Sequence, residues 1–163
     1  MPGELFTASH NGMAQQTTGT DPLKRFIDAQ APTYEQALAE LTAGEKRSHW
    51  MWFIFPQIAG LGSSFMAQRF GVRDLAEAQA YLQHPILGAR LRECTARVNA
   101  LHGRSVSQIF GYPDDLKFGS SVTLFAEAAV GAAEENDVFA IALEKYFNGQ
   151  PDQATLTLLA RSR

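Results

Sequence analysis

The chain has 163 residues, 45% of them hydrophobic, which is enough for one domain with its own core. The formal charge of −3 argues against duplex nucleic acid or a membrane surface as partner, and the single cysteine excludes an internal disulfide. No apolar stretch reaches the ~18 residues that cross a bilayer, and the amino end is not typical of a secretory signal, so we expect a cytoplasmic protein.

The first part of the chain divides into a tail and the start of a helical domain. Residues 1–20 have little apolar content, so we expect a flexible tail, followed by a single α-helical domain over residues 21–163. A first helix is predicted over about 22–30. Thr33 and Gln36 match a capping box and predict the start of a second helix.

An aromatic run holds both tryptophans of the chain. It reads Ser-His-Trp-Met-Trp-Phe-Ile-Phe-Pro-Gln over residues 48–57. Because the run has few turn residues and is interrupted by Pro56, it predicts a helix over about 45–55 rather than a strand. Residues three and four apart on such a helix share one face. Four chemically distinct side chains would do so: Lys46, His49, Trp50 and Phe53.

This face combines a cation, a titratable ring and a stacking surface. The combination suits an anionic ligand with a flat ring, such as a nucleotide, with Lys46 near phosphate and Trp50 against the base. His49 would then be a hydrogen-bond donor or a general acid/base group. The alternative is that the tryptophans are core, His49 bonds a backbone carbonyl and Lys46 extends to water.

The later segments are also helical. Leu87, Leu91, Cys94 and Val98 recur at helical spacing, with His84 placed to cap that helix. Further helices are predicted at about 74–83, 105–110 from the Ser105 capping box, 115–130 and 135–147. We therefore expect an all-α, compact single-domain bundle of about seven to nine helices, with irregular packing and no sheet of consequence.

Two further segments are candidates for ligand contact. Gly60 to Ser64 would present backbone amides to an anion, or form a plain turn with a serine cap. A helix from Asp115 would align Lys117 with Ser120 and Ser121 beside a polar cavity. The alternative there is an Asp cap, a solvated lysine and serines that permit close helix packing.

Metal and cofactor chemistry lacks a signature. Neither His-Glu-x-x-His nor paired Cys-x-x-Cys occurs, so we expect no metal site and no cofactor. Cys94 lies on the apolar stripe of its helix, which favours a core thiol over a nucleophile.

Several motifs together resemble a widespread family of bacterial and fungal proteins of unknown function. They are the aromatic run, Gly44-x-Lys46, Gly60-Leu-Gly-x-Ser64, Ala80-Tyr-Leu-x-His84-Pro-x-Leu-Gly-x-Arg-Leu91 and Asp115-x-Lys117-x-x-Ser120-Ser-x-Thr-Leu-Phe125. The resemblance covers about residues 22–147 and implies a mainly α-helical domain, but it transfers no catalytic residue. Some members are labelled calpastatin; the calpain inhibitor of that name is long, repetitive and disordered, so we discount the label. In general pattern and helical content the chain is also similar to small helical N-glycosidases that act on ADP-ribose derivatives.

The leading hypothesis is a pocket for a small anionic, nucleotide-like ligand. If the protein is an enzyme, we expect a metal-independent hydrolase of N-glycosidase type, with His49 and Asp115 as catalytic groups. The residues expected to bind the ligand are Lys46, Ser48, Trp50, Gln57, Ser64, Lys117, Ser120 and Ser121. The competing hypothesis is a non-enzymatic interaction module or homodimer in which the aromatic run is purely structural. The sequence leaves the oligomeric state open.

Overall fold

Regular secondary structure is helical throughout residues 21–131 and 137–162, which are the residues that this computed structural model describes. The predicted tail, residues 1–20, lies outside them. Within the described ranges the helices are Lys24–Gln30 (α1), Tyr34–Ala43 (α2), Met51–Ile54 (α3), Phe65–Phe70 (α4), Leu75–Gln83 (α5), Leu87–Asn99 (α6), Val106–Phe110 (α7), Asp114–Ala128 (α8), Val138–Phe147 (α9) and Gln153–Arg161 (α10).

The all-α prediction is confirmed for a single compact domain, but the number of helices is ten in the described residues rather than seven to nine. Several of the ten helices are short: α3 has four residues, α7 five and α4 six. In place of a sheet, the described chain has one isolated parallel bridge between Ile58 and Val72.

Helix α8 runs through the centre of the fold. Every residue from Phe118 to Phe125 is buried, as expected for a helix that is covered on all sides. It packs against α5, α7, α9 and α10. Its first turn, with Asp114 and Lys117, is only partly buried, so the amino end of the central helix reaches the surface with charged groups.

The long helix α6 agrees with the sequence pattern. Leu87, Leu91, Cys94 and Val98 are all buried. The Nδ1 atom of His84 accepts the backbone amides of the first turn, at 3.1 Å from Ile86 and 3.2 Å from Leu87. The predicted histidine cap is therefore present.

The helix predicted over 45–55 is wrong except for its last turn. Residues 44–50 are not helical, and only Met51–Ile54 forms a helix. The amide of Lys46 donates to the distant carbonyl of Ile109 at 2.7 Å, and the amides of residues 47 and 48 donate to the carboxylate of Glu40. These amides have partners outside a helix, so the expected common face of Lys46, His49, Trp50 and Phe53 does not form.

The two predicted capping boxes have different outcomes. The box of Ser105 and Gln108 is present in both directions. Thr33 is the residue before the first turn of α2, so the predicted start of the helix is right, but its side chain makes no capping bond and the box does not form. Gln36 instead donates to the Glu40 carboxylate at 2.8 Å, because the next helical turn offers a charged acceptor.

The segment between α3 and α5 folds back on itself and forms a wall beside α8. The backbone amide of Ala59 donates to the carbonyl of Val72 at 2.7 Å, and the backbone amide of Val72 donates to the backbone carbonyl of Gln57 at 2.8 Å. Ser64 caps α4 by accepting the amide of Ala67 at 3.1 Å. The serine-cap alternative for this turn is thus observed.

In the described part of the chain, no helix is both long and apolar enough to span a membrane.

Candidate functional site

A surface cleft of about 460 Å³, here called the Trp52 cleft, lies between the 57–67 segment and the start of α8. Its other walls come from Trp52 in α3 and from the start of α10. The lining residues are Trp52, Gln57, Leu61, Gly62, Ser63, Ser64, Ala67, Pro113, Leu116, Lys117, Ser120, Asp152 and Ala154. Four of the residues that the sequence suggested for ligand binding therefore line one cleft: Gln57, Ser64, Lys117 and Ser120.

Lys117 is the cation of the cleft. Its ammonium lies 5.4 Å from the centre of the Trp52 ring, within the range of a cation–π contact. It is 3.7 Å from an oxygen of Asp114, and its side chain is 28% exposed. The ammonium is thus held by an aromatic face and a loose ion pair, and it can still be reached from solvent.

Lys46 lies behind the same carboxylate. Its ammonium is 2.9 Å from the other oxygen of Asp114 and donates to the carbonyl of Ser48 at 2.6 Å. Its side chain is only 8% exposed, and its ammonium lies 5.0 Å from the Trp50 ring centre. The two ammonium groups therefore share the carboxylate of Asp114.

The structure places Ser48 and Trp50 in a buried network around Glu40, a residue that the sequence reasoning missed. One oxygen of Glu40 accepts the amide of Arg47 at 2.8 Å and the indole N–H of Trp50 at 2.9 Å, and the other accepts the Ser48 hydroxyl. Trp50 is fully buried. Both side chains therefore hold the loop in place and do not line the cleft.

The network also sets the charge state of Glu40. Burial opposes the ionised form, but hydrogen bonds outweigh it, led by that of the Ser48 hydroxyl and followed by those of the Arg47 amide and the Gln36 side chain. They lower the pKa of Glu40 from 4.5 to about 2. A signal was present in the sequence, because Glu40 follows Ala37 and precedes Leu41 on the buried face of α2. A carboxylate in such a position needs partners.

The two predicted catalytic residues do not line the cleft. Asp115 is 8% exposed, accepts the Ser107 hydroxyl at 2.8 Å and accepts the amide of Leu116, so it holds the start of α8. His49 is exposed in the loop before α3. Their catalytic roles stay predictions.

Ser121 faces the core rather than the cleft. It is fully buried, and its hydroxyl has no hydrogen-bond partner among the described residues. A ligand in the cleft would contact its neighbour Ser120 and not Ser121.

Asp152 adds an anion to the far wall of the cleft. One of its oxygens accepts the hydroxyls of Ser120 at 3.2 Å and Thr155 at 2.6 Å, and also the Thr155 amide at 3.1 Å. It is the N-cap of α10. The sequence signal for this residue was its place after Pro151 and before a helical segment, which is typical of a cap.

Metal-ligand chemistry has no counterpart in the described ranges. No group of three or more histidine, cysteine, aspartate or glutamate side chains there is arranged to hold a metal ion.

The fold and the cleft define an all-α, single-domain protein in which polar groups from three separate segments meet at the amino end of a buried central helix. The chain belongs to the family described as "Protein of unknown function (DUF1810)", whose model matches residues 20–159. This finding confirms the family resemblance seen in the sequence.

A solved structure with the same fold is the crystal structure, at 1.38 Å, of the conserved hypothetical protein Rv1873 from Mycobacterium tuberculosis. It is 56% identical in sequence, with a TM-score of 0.81, and the match covers 85% of this chain and 96% of that one. No curated protein matches the chain significantly.

Proposed function

We propose that the protein binds a small anionic ligand with a flat ring, of nucleotide type, in the Trp52 cleft. The observation that carries the proposal is the position of Lys117, whose ammonium lies over the Trp52 ring inside the cleft. An anion paired with this ammonium would have an aromatic face within reach for a ring of its own.

The charges around Asp114 support an anion at this position. Lys46 pairs closely with Asp114 at 2.9 Å, whereas Lys117 is 3.7 Å from it. Because Lys46 already neutralises the carboxylate, Lys117 can exchange its loose contact for a ligand anion without leaving Asp114 unpaired. The buried lysine thus acts through charge balance, and the accessible lysine makes the contact.

The remaining polar groups suit a phosphate or a sugar. Ser63, Ser64 and Gln57 line the cleft, whereas the hydroxyl of Ser120 already donates within the protein, to Leu116 and Asp152. Neutral donors beside one cation are a common arrangement for phosphate esters, since each adds a directed hydrogen bond to the charge contact. Few such groups in a partly apolar cleft favour a small molecule.

Hydrolysis of the ligand is the second part of the proposal. Asp115 follows Asp114 in the first turn of α8, and His49 is exposed three residues after Lys46. Either group would serve as general acid or base on a ligand that extends beyond the cleft. Product analysis of the bound compounds, with His49→Ala and Asp115→Asn variants, tests this part separately from binding.

Thermal unfolding with AMP, ADP, ADP-ribose and pyrophosphate tests binding. A compound present at a hundred times its dissociation constant adds about 2.7 kcal/mol to stability. We expect Lys117→Met to remove the shift, because it keeps most of the side-chain volume but loses the charge. Lys24→Met is the matched control, since Lys24 lies in an exposed ion pair and does not line the cleft.

Two results would overturn the proposal. One is the absence of any shift with all four compounds. The other is a shift that Lys117→Met leaves as large as Lys24→Met does.

A second candidate function is binding of another copy of this chain, for which the rim of the cleft gives a specific observation. Leu116, a lining residue, is 57% exposed. Phe65 and Tyr112, which adjoin lining residues in the sequence, are 74% and 82% exposed. Exposed apolar groups gathered at one place are typical of an interaction surface. Sedimentation of the wild type and a Phe65→Ser/Tyr112→Ser variant over a range of concentrations tests self-association there.

A further inference from the structure

A second cavity adjoins the Trp52 cleft. It has a volume of about 260 Å³ and is lined by Leu116, Gly119, Phe147, Gln150, Pro151 and Asp152. Leu116 and Asp152 line both spaces. The two cavities therefore adjoin at Leu116 and Asp152, here called the ridge.

Helix geometry explains how one helix serves both spaces. Successive residues of an α-helix are about 100° apart around its axis. Relative to Leu116, Lys117 therefore points about 100° to one side and Gly119 about 60° to the other. The first lines the Trp52 cleft and the second lines the second cavity, so the cavities lie on the two flanks of α8 with Leu116 between them.

The chemistry of the second cavity differs from that of the first. Its wall has the side chains of Leu116, Phe147 and Pro151, and its polar groups are one amide and the shared carboxylate. Gly119 lets the Phe147 ring approach α8 closely, since a Cβ there would lie 3.0 Å from that ring. A flat or apolar group fits these walls better than a second phosphate does.

The ridge offers a hydrogen-bond acceptor. One oxygen of Asp152 accepts three bonds from Ser120 and Thr155. Its other oxygen, Oδ1, accepts none from the residues that the structure describes. A carboxylate fixed in this way suits a hydroxyl donor, such as that of a sugar, and disfavours an anion at the same point.

We propose that the ligand of the Trp52 cleft is bipartite: a nucleotide part at Lys117 and Trp52, a hydroxyl-bearing link on Asp152, and a second ring or apolar group in the cavity beside Phe147. This inference rests on the proposed function of the cleft. A helix with its side chains is about 10 Å across, so a ligand that reaches both flanks must be at least of that order in length. A nucleoside diphosphate joined to a second ring-bearing sugar meets these requirements.

Calorimetric titration with AMP, ADP and NAD+ tests the proposal. ADP supplies the diphosphate alone, and NAD+ adds a sugar and a second ring to it. We expect NAD+ to bind about tenfold more tightly than ADP, because packing of one ring against aromatic and apolar walls contributes up to about that factor.

A blocking variant locates the gain. Gln150→Trp places a large ring at the mouth of the second cavity, and we expect it to abolish the advantage of NAD+ while leaving AMP binding unchanged. Gln153→Trp is the matched control, since Gln153 is exposed, lies three residues further on and lines neither cavity.

The outcomes separate this inference from the proposed function. Failure of all three compounds to bind overturns the proposed function itself. Binding of AMP that depends on Lys117, with NAD+ no tighter than ADP, overturns only the bipartite ligand. So does an advantage of NAD+ that Gln150→Trp leaves as large as Gln153→Trp does.

Discussion

Replacement of Glu40 by glutamine is expected to destabilise the fold strongly at neutral pH. The change keeps the shape of the side chain but removes its charge, and it puts an amide NH₂ among groups that are themselves donors. Those groups are the Arg47 and Ser48 amides, the Ser48 hydroxyl, the Trp50 indole and the Gln36 amide. Buried donors that lose their acceptor carry the full cost of leaving water.

The lowered pKa of Glu40 gives the magnitude. Folding shifts this pKa from 4.5 to about 2, and one unit corresponds to 1.36 kcal/mol. The ionised carboxylate therefore contributes about 3 kcal/mol to the free energy of unfolding. Because the folded-state pKa is the lower one, this contribution is complete above pH 4.5 and is lost as the pH falls towards 2.

Urea unfolding followed by tryptophan fluorescence measures the effect. We expect Glu40→Gln to lose about 3 kcal/mol at neutral pH, and the gap to the wild type to close between pH 4.5 and about 2. Glu35→Gln, on the exposed side of the same helix, is the control and should change stability by less than about 1 kcal/mol. A Glu40→Gln protein as stable as the control, or a gap that does not narrow in acid, would refute the reasoning.

Three further predictions concern buried or capping groups. Ser121→Ala should leave stability unchanged or raise it by about 1 kcal/mol in urea unfolding, because the buried hydroxyl has no partner among the described residues; a loss above that size would contradict this account. His84→Ala should cost about 1 kcal/mol in the same assay through loss of the α6 cap, and His84→Asn should restore most of it; equal losses for both would show that the cap is not responsible. Burial raises the pKa of the Cys94 thiol to about 12, so an aromatic disulfide reagent should modify it only after unfolding in guanidinium; rapid modification of the folded protein at mildly alkaline pH would show that the thiol is not buried and protonated.

Periodicity predicted the helices that bury one continuous stripe, such as α6, because there local pattern and tertiary packing select the same residues. Over residues 45–50 the helix predicted from the lack of turn residues and the position of Pro56 is wrong, and for a physical reason. The backbone amides of Lys46, Arg47 and Ser48 are satisfied by Ile109 and Glu40, which local sequence does not reveal. Tertiary hydrogen bonds replaced the helical ones, and they changed which side chains face the same way.

The cleft shows why part of a site can be found from motifs without correct local structure. Gln57 and Ser64 belong to one motif and Lys117 and Ser120 to another, and polar groups inside otherwise apolar segments stand out in either conformation. The same criterion also selected Ser48 and Trp50, which bind the buried Glu40. The sequence identifies a polar group that must have a partner. Only the fold shows whether another group of the protein is that partner or whether the polar group faces a cleft, where a ligand can bind it. Lys117 faces the cleft, since its ion pair is loose and its side chain is partly exposed to solvent. For this reason its replacement is the decisive test of the proposed function.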